Sequence, residues 1–197
     1  MAGTSHKLLF LRHGATALNA AGLRCGGDID LPLAEIGHRQ AAQAARDLVQ
    51  HRVEVGVIVV SALQRTRQTA DILARHLRGV DIVVEAAFDE RRLGAWNRLP
   101  IADTQADLAA GITPPGGESN ADFTRRVRDG AVNALLPLLL RAQPGRVLLV
   151  GSKGVARVLG ELAGAAQRAP LGNAELAEFD LSPLARSARP HAAECAA

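Results

Sequence analysis

Five short apolar runs set the terms for how this chain can fold. They are Lys7–Arg12, Val55–Ser61, Val80–Glu85, Arg146–Gly151 and Leu176–Leu181. Several are nearly continuous in Val, Leu and Ile, without the alternation of a strand that has one wet face. Such strands must be covered on both sides, as the central strands of parallel sheets are. Between the runs the apolar period becomes helical. Gly37–Val49 puts Ala41, Ala44, Ala45, Leu48 and Val49 on one face, and Arg65–Leu77 gathers Ala70, Leu73, Ala74 and Leu77. Val155, Val158, Leu159, Leu162 and Ala163 make a third stripe. A longer helix starts near Ser119, where Ser119 and Asp122 form a capping pair. It continues through Phe123, Val127 and Leu135, and Pro137 kinks or ends it. Strands alternating with helices predict an α/β fold with a mostly parallel sheet.

The chain has 197 residues, which suits one domain, and no internal repeat or linker divides it. We assign residues 1–183 to that domain. The Ala/Arg/Pro-rich stretch 184–197 is aperiodic and reads as a flexible tail. Gly111–Glu118, rich in Gly and Pro, reads as a loop. The formal charge is +3, but the arginines are dispersed and no basic block occurs. The chain has no Tyr and few other aromatics, which argues against a module that stacks nucleic-acid bases. The two cysteines, Cys25 and Cys195, do not make a disulfide framework. The first apolar run is too short for a signal sequence or a membrane span. A cytoplasmic protein with no membrane association is therefore expected. No metal-ligand spacing is present, and no cofactor or metal is expected.

Two segments carry chemistry. The first run ends in Arg12-His13-Gly14-Ala15-Thr16. Ligands of open α/β sheets bind outside the carboxyl ends of strands, so this Arg and His would face that crevice. A guanidinium is a fork of donors for phosphate, and a neutral imidazole is a nucleophile. Taken singly, the pair could equally be a surface arginine and a capping histidine. The second segment, Ser61-Ala62-Leu63-Gln64-Arg65-Thr66-Arg67-Gln68-Thr69-Ala70, follows the next strand and opens a helix. It brings Arg side chains and helix N–H groups to the same crevice. Alone, it would pass for an ordinary solvated helix start.

In order along the chain, these segments resemble the histidine phosphatase superfamily, in its phosphoglycerate-mutase-like branch. The resemblance runs from about Lys7 to Leu159. Arg-His-Gly-x-Thr at 12–16 is followed by Asn19, then by Cys25-Gly26-Gly27-Asp28-Ile29-Asp30-Leu31-Pro32-Leu33, Gly37 and Gln40-Ala41. The Ser-x-Leu-x-Arg-x-x-Gln-Thr-Ala segment stands at 61–70. Glu90 with Gly94 and Trp96, and Gly116-Gly117-Glu118-Ser119, complete the set. The resemblance implies a three-layer α/β/α sandwich. It implies that His13 takes the phosphoryl group, that Arg12 and Arg65 clamp its oxygens, and that Asn19 lines the pocket. Glu90 would be the general acid for the leaving group. Outside the motif, Glu90 would read as a salt-bridge partner within Asp89-Glu90-Arg91-Arg92.

One position departs from the family pattern. A second His follows a late strand there, in a Ser-His-Gly setting. Aligning Gly154, Val155 and Arg157 puts Ser152 at that place here, with Lys153 beside it as a substitute charge. His38, His51, His76 and His191 lie in other segments. Both Ser152 and Lys153 are assigned to phosphate binding. The function implied is hydrolysis of a small phosphorylated metabolite, through a phosphohistidine at His13. The 25–33 segment is similar in part to α-ribazole phosphatases. One alternative is an impaired or repurposed member that binds a phosphorylated ligand or a partner protein. Another is phosphotransfer of the mutase type, which Glu90-Arg91-Arg92 keeps open. The expected partner is a small phosphorylated metabolite or inorganic phosphate, and a homodimer is compatible with the sequence.

Overall fold

A computed structural model describes residues 6–141, 145–165 and 170–188. Its sheet has five strands, β1 (Lys7–Arg12), β2 (Val55–Val60), β3 (Asp81–Val84), β4 (Arg146–Gly151) and β5 (Leu176–Asp180), in the order β3-β2-β4-β1-β5. Four are parallel, and β5 runs antiparallel along the edge beside β1. The helices are α1 (Ala17–Ala20), α2 (Glu35–Gln50), α3 (Gln64–His76), α4 (Ile101–Ala109), α5 (Asn120–Gly130), α6 (Leu136–Leu140), α7 (Lys153–Leu162) and α8 (Ser182–Ala188).

The central strands separate two cores, which explains their continuous apolar sequence. Leu9, Leu11, Ile58, Val60, Leu148 and Val150 point to one face and pack with Ala44, Ala45 and Leu48 of α2 and Ala70 and Leu73 of α3. Leu8, Phe10, Val57, Val59, Val147 and Leu149 point to the other. They meet Phe123 and Val127 of α5 and Val155, Val158 and Leu159 of α7. Successive side chains on a strand alternate in direction, so each strand feeds both layers. The result is a helix–sheet–helix sandwich, as the sequence indicates.

This topology also places the site. The chain leaves β1 for α2 on one face and leaves β4 for α7 on the other, although β1 and β4 are neighbours. Their carboxyl ends diverge and open a crevice between Arg12-His13 and Gly151-Ser152.

Ser119 caps α5 as expected. Its Oγ accepts from the Asp122 N–H at 3.0 Å and donates to Asp122 Oδ2 at 2.6 Å. Pro137, however, does not end the helix. The five residues Ala131–Leu135 widen into a π turn and the helix resumes over Leu136–Leu140. A π turn lets the ladder absorb the amide that proline lacks. The sequence did not indicate α4, whose apolar pattern is weak. The tail boundary also shifts. Residues 184–188 continue α8, and Leu184 is 2% exposed within the core. Residues 189–197, with Cys195 and His191, lie outside the described residues.

Leu184→Ala should therefore cost about 2–4 kcal/mol, in the range for a buried leucine. Urea unfolding measures this, and a loss under 0.5 kcal/mol (roughly the surface-substitution range) would return residue 184 to a tail.

Candidate active site

His13 follows β1 directly and is 4% exposed. Its N–H donates to the Gly151 carbonyl at 2.9 Å, which extends the β1–β4 pairing by one residue. Its ring Nδ1 lies 2.7 Å from the Gly14 carbonyl. A carbonyl can only accept, so Nδ1 carries the proton and Nε2 keeps its lone pair. Burial first, then the charge of Arg65 and less strongly that of Arg12, push the imidazole pKa down to about 3. The ring is neutral at physiological pH and its free nitrogen is nucleophilic.

The loop bearing His13 is pinned from both neighbouring helices. Gly14 N–H donates to Thr69 Oγ1 of α3 at 3.2 Å, and Ala15 N–H donates to Gln40 Oε1 of α2 at 2.9 Å. Behind the loop, Asn173 Nδ2 donates to the His13 carbonyl at 3.0 Å.

Arg12 and Arg65 reach the same crevice. Arg12 Nη1 donates to the Leu171 carbonyl at 2.7 Å. Arg65, in the first turn of α3 and 1% exposed, donates to the Ile29 carbonyl at 2.9 Å and the Gly26 carbonyl at 3.2 Å. These bonds orient the guanidinium groups but leave Nε of both without a partner. Ser152 follows β4 and is 1% exposed, and its Oγ is also unpartnered. Among the described residues only five buried side-chain polar atoms lack a partner, and these three belong to this crevice. Buried donors are normally satisfied, and three of the exceptions gather at this crevice.

Glu90 stands beside them. Its Oε1 accepts from Arg91 N–H at 2.8 Å and its Oε2 from Gly154 N–H at 3.0 Å, at the start of α7. Two glycines make room for it. A Cβ on Gly154 would lie 2.2 Å from Glu90 Oε1, and one on Gly27 would lie 2.0 Å from the Glu90 carbonyl.

The structure brings His13, Arg12, Arg65, Glu90, Ser152 and Lys153 to one crevice. Burial and then the charge of Arg12 hold the Lys153 ammonium below its ordinary pKa. Asn19 lies close by, with its amide oxygen engaged within the loop. Its Oδ1 accepts from Thr16 N–H at 3.2 Å in a capping box, and Asn173 Nδ2 lies 3.5 Å from the same oxygen. The expectation of free helix N–H groups at the start of α3 needs correction for Gln64, whose N–H goes to Asp30 Oδ1 at 2.7 Å. At the start of α7 the Gly154 N–H likewise goes to Glu90. Sequence reasoning missed Arg24, held at the rim by α4, and the buttress Asn173. Neither stood in a motif whose chemistry could be read alone.

His38, His51 and His76 are exposed on α2, at its C-terminal end and at the end of α3. No group of three or more His, Cys, Asp or Glu among the described residues is placed to hold a metal. No helix among them is long and apolar enough to cross a membrane.

Fold and crevice together define an α/β protein with a buried neutral histidine, two arginines and a carboxylate gathered at a sheet switch point. Residues 8–188 match the sequence profile of the histidine phosphatase superfamily (branch 1), and the chain belongs to that superfamily. A bifunctional protein of Mycobacterium tuberculosis is 40% identical over 137 residues, which are 65% of this chain and 37% of that protein. The chain thus spans little more than a third of that relative's length. A "probable phosphoglycerate mutase" of Cronobacter sakazakii is 33% identical over 193 residues, 88% of this chain and 84% of the relative. Among solved structures, a mycobacterial glucosyl-3-phosphoglycerate phosphatase in complex with VO3 superposes with a TM-score of 0.71 at 31% identity, covering 88% of this chain and 92% of that one.

The low His13 pKa has a measurable consequence. The unfolded chain takes up a proton at its ordinary value of 6.5, whereas the folded pocket excludes it until about 3. Unfolding therefore gains a proton between those values, and stability falls as pH drops through that window. Between pH 7.5 and 5.5 the parent should lose about 1 kcal/mol more than His13→Asn does in urea unfolding. Parallel curves would mean that the ring titrates normally.

Proposed function

We propose that this chain hydrolyses a small phosphorylated metabolite through a phosphohistidine at His13, in the cytoplasm. The observation that carries this reading is the neutral Nε2 of His13, set among the uncommitted Arg12 Nε, Arg65 Nε and Ser152 Oγ. In the first step Nε2 attacks phosphorus and the ester P–O bond breaks, while Glu90 gives a proton to the leaving oxygen. In the second step water attacks the phosphohistidine, inorganic phosphate leaves, and the proton returns to Glu90. Arg12 and Arg65 would neutralise the equatorial oxygens as charge spreads over them. The backbone bonds to Glu90 fix its direction for both steps. Membership of a superfamily whose relatives include phosphatases supports the class of reaction. An α-ribazole-phosphate-like metabolite is one candidate substrate, and mutase-type transfer would use the same intermediate.

A second reading rests on Ser152. Its hydroxyl is a neutral donor at the position aligned with the family's second His, and loss of one preorganised donor lowers rates by about 10²–10³. In that reading the pocket binds a phosphorylated ligand without efficient turnover.

Phosphate or vanadate should raise the Tm, because a ligand bound only by the folded state stabilises it. Arg12→Ala and Arg65→Ala should each abolish the rise, and a rise retained in both would displace the pocket. A nitrophenyl phosphate assay then separates the readings. Turnover that His13→Ala eliminates supports the phosphatase, and stabilisation without turnover supports the binder.

Ser152→His combined with Lys153→Gly should raise kcat/KM about tenfold or more, or roughly 1.4 kcal/mol of transition-state stabilisation. A fall in an active parent would show that Ser152 and Lys153 serve the present chemistry as they stand.

A further inference from the structure

Arg24 is 9% exposed, and α4 alone anchors its side chain. Its Nε donates to Thr104 Oγ1 at 2.8 Å, and its Nη2 to Gln105 Oε1 at 3.0 Å and the Ile101 carbonyl at 3.3 Å. Nη1 has no hydrogen bond, and no carboxylate forms an ion pair with Arg24 among the described residues. Lys153, the first residue of α7, is likewise without an ion pair among them. The carboxylate that acts on both is Glu90, whose two oxygens already accept backbone amides. A guanidinium held by two of its nitrogens with a third uncommitted is a preorganised donor for an oxyanion.

Glu90 stands between the two cations. Its carbonyl lies against Gly27, three residues after Arg24, where a Cβ would meet it at 2.0 Å, and its Oε2 accepts from the N–H of Gly154, the neighbour of Lys153, at 3.0 Å. Glu90 faces the leaving oxygen in the mechanism above, so this rim is the leaving-group side. We propose that Arg24 and Lys153 form a second anion subsite there, selecting phosphomonoesters whose alcohol part carries a further carboxylate or phosphoryl group. The proposal rests on the phosphatase reading of His13 and assigns Lys153 to the second group rather than to the transferred one.

Binding of phosphonates tests this without turnover. Calorimetry would compare ethylphosphonate with 3-phosphonopropionate and with ethylene-1,2-bisphosphonate, which also tells carboxylate from phosphoryl preference. The parent should bind at least one of the two acid-bearing ligands about tenfold or more tightly than ethylphosphonate, the equivalent of roughly 1.4 kcal/mol. In Lys153→Gln and in Arg24→Gln that preference should fall to about threefold or less, and Arg24→Lys should keep part of it. If Arg24→Gln does not fold, Lys153→Gln decides, since Lys153 is exposed and caps no core. Equal binding of all three ligands by the parent overturns the subsite, as does a preference that survives Lys153→Gln. So does a Lys153→Gln loss that is as large for ethylphosphonate as for the others, which would place Lys153 on the transferred group. Binding of none of them overturns the phosphate pocket and the subsite with it.

Discussion

The hydrogen bond from His13 Nδ1 to the Gly14 carbonyl governs everything else at this site. It selects the tautomer, leaves Nε2 with its lone pair and ties the ring to its own buried loop. It can do so because the loop itself is immobilised by groups from three directions: Thr69 on α3, Gln40 on α2 and Asn173 behind β1. Two arginines beside a buried imidazole would otherwise be a costly arrangement. Here they keep the ring uncharged, which is the form a nucleophile needs. Electrostatics and geometry thus serve the same end. The charges that would bind a phosphoryl group are also the charges that keep the histidine ready to receive it.

Much of this was legible in the sequence, and the physical reason differs from element to element. The three central strands were readable because β2, β4 and β1 are buried on both faces and carry no polar interruption, whereas β3 is exposed and β5 alternates. α2 and α3 were readable because one face of each packs on the sheet. Several motif residues turn out to serve the backbone rather than a ligand. Gln40 and Thr69 hold the His13 loop, Gln68 accepts from the Leu33 N–H at 2.8 Å, and Asp30 receives the Gln64 N–H. Each of them satisfies a backbone N–H of a loop or helix start beside the site. What stayed hidden depends on contacts distant in sequence. Arg24 becomes a buried cation only when α4 arrives, 80 residues later, to supply Thr104. Leu184 looked like tail because its partners come from strands and helices throughout the chain. Pro137 misled because local rules cannot foresee a π turn that absorbs it.

The turn after β4 is tied to Glu90. Ser152 and Lys153 occupy the start of α7, and Gly154 is still required there because Glu90 lies against it. The glycine is therefore explained by a carboxylate rather than by a bound anion. Glu90 in turn couples the segment after β3 to the first turn of α7. A change at 152 or 153 acts on Glu90 through the Gly154 amide as well as on any ligand directly.

The direction of β5 has a consequence of its own. Because this strand runs against β1, its leading segment arrives at the carboxyl end of β1, where Arg12 N–H donates to the Glu175 carbonyl at 3.1 Å and Arg12 Nη1 to Leu171. A parallel edge strand would bring that segment to the opposite end. Arg12 and Leu171 are thus 159 residues apart in sequence. During synthesis His13 emerges well before Leu171 and Glu175, which hold Arg12 beside it. Loop closure over such a span is slow relative to local structure. A nascent chain would carry the histidine before its neighbouring arginine is held.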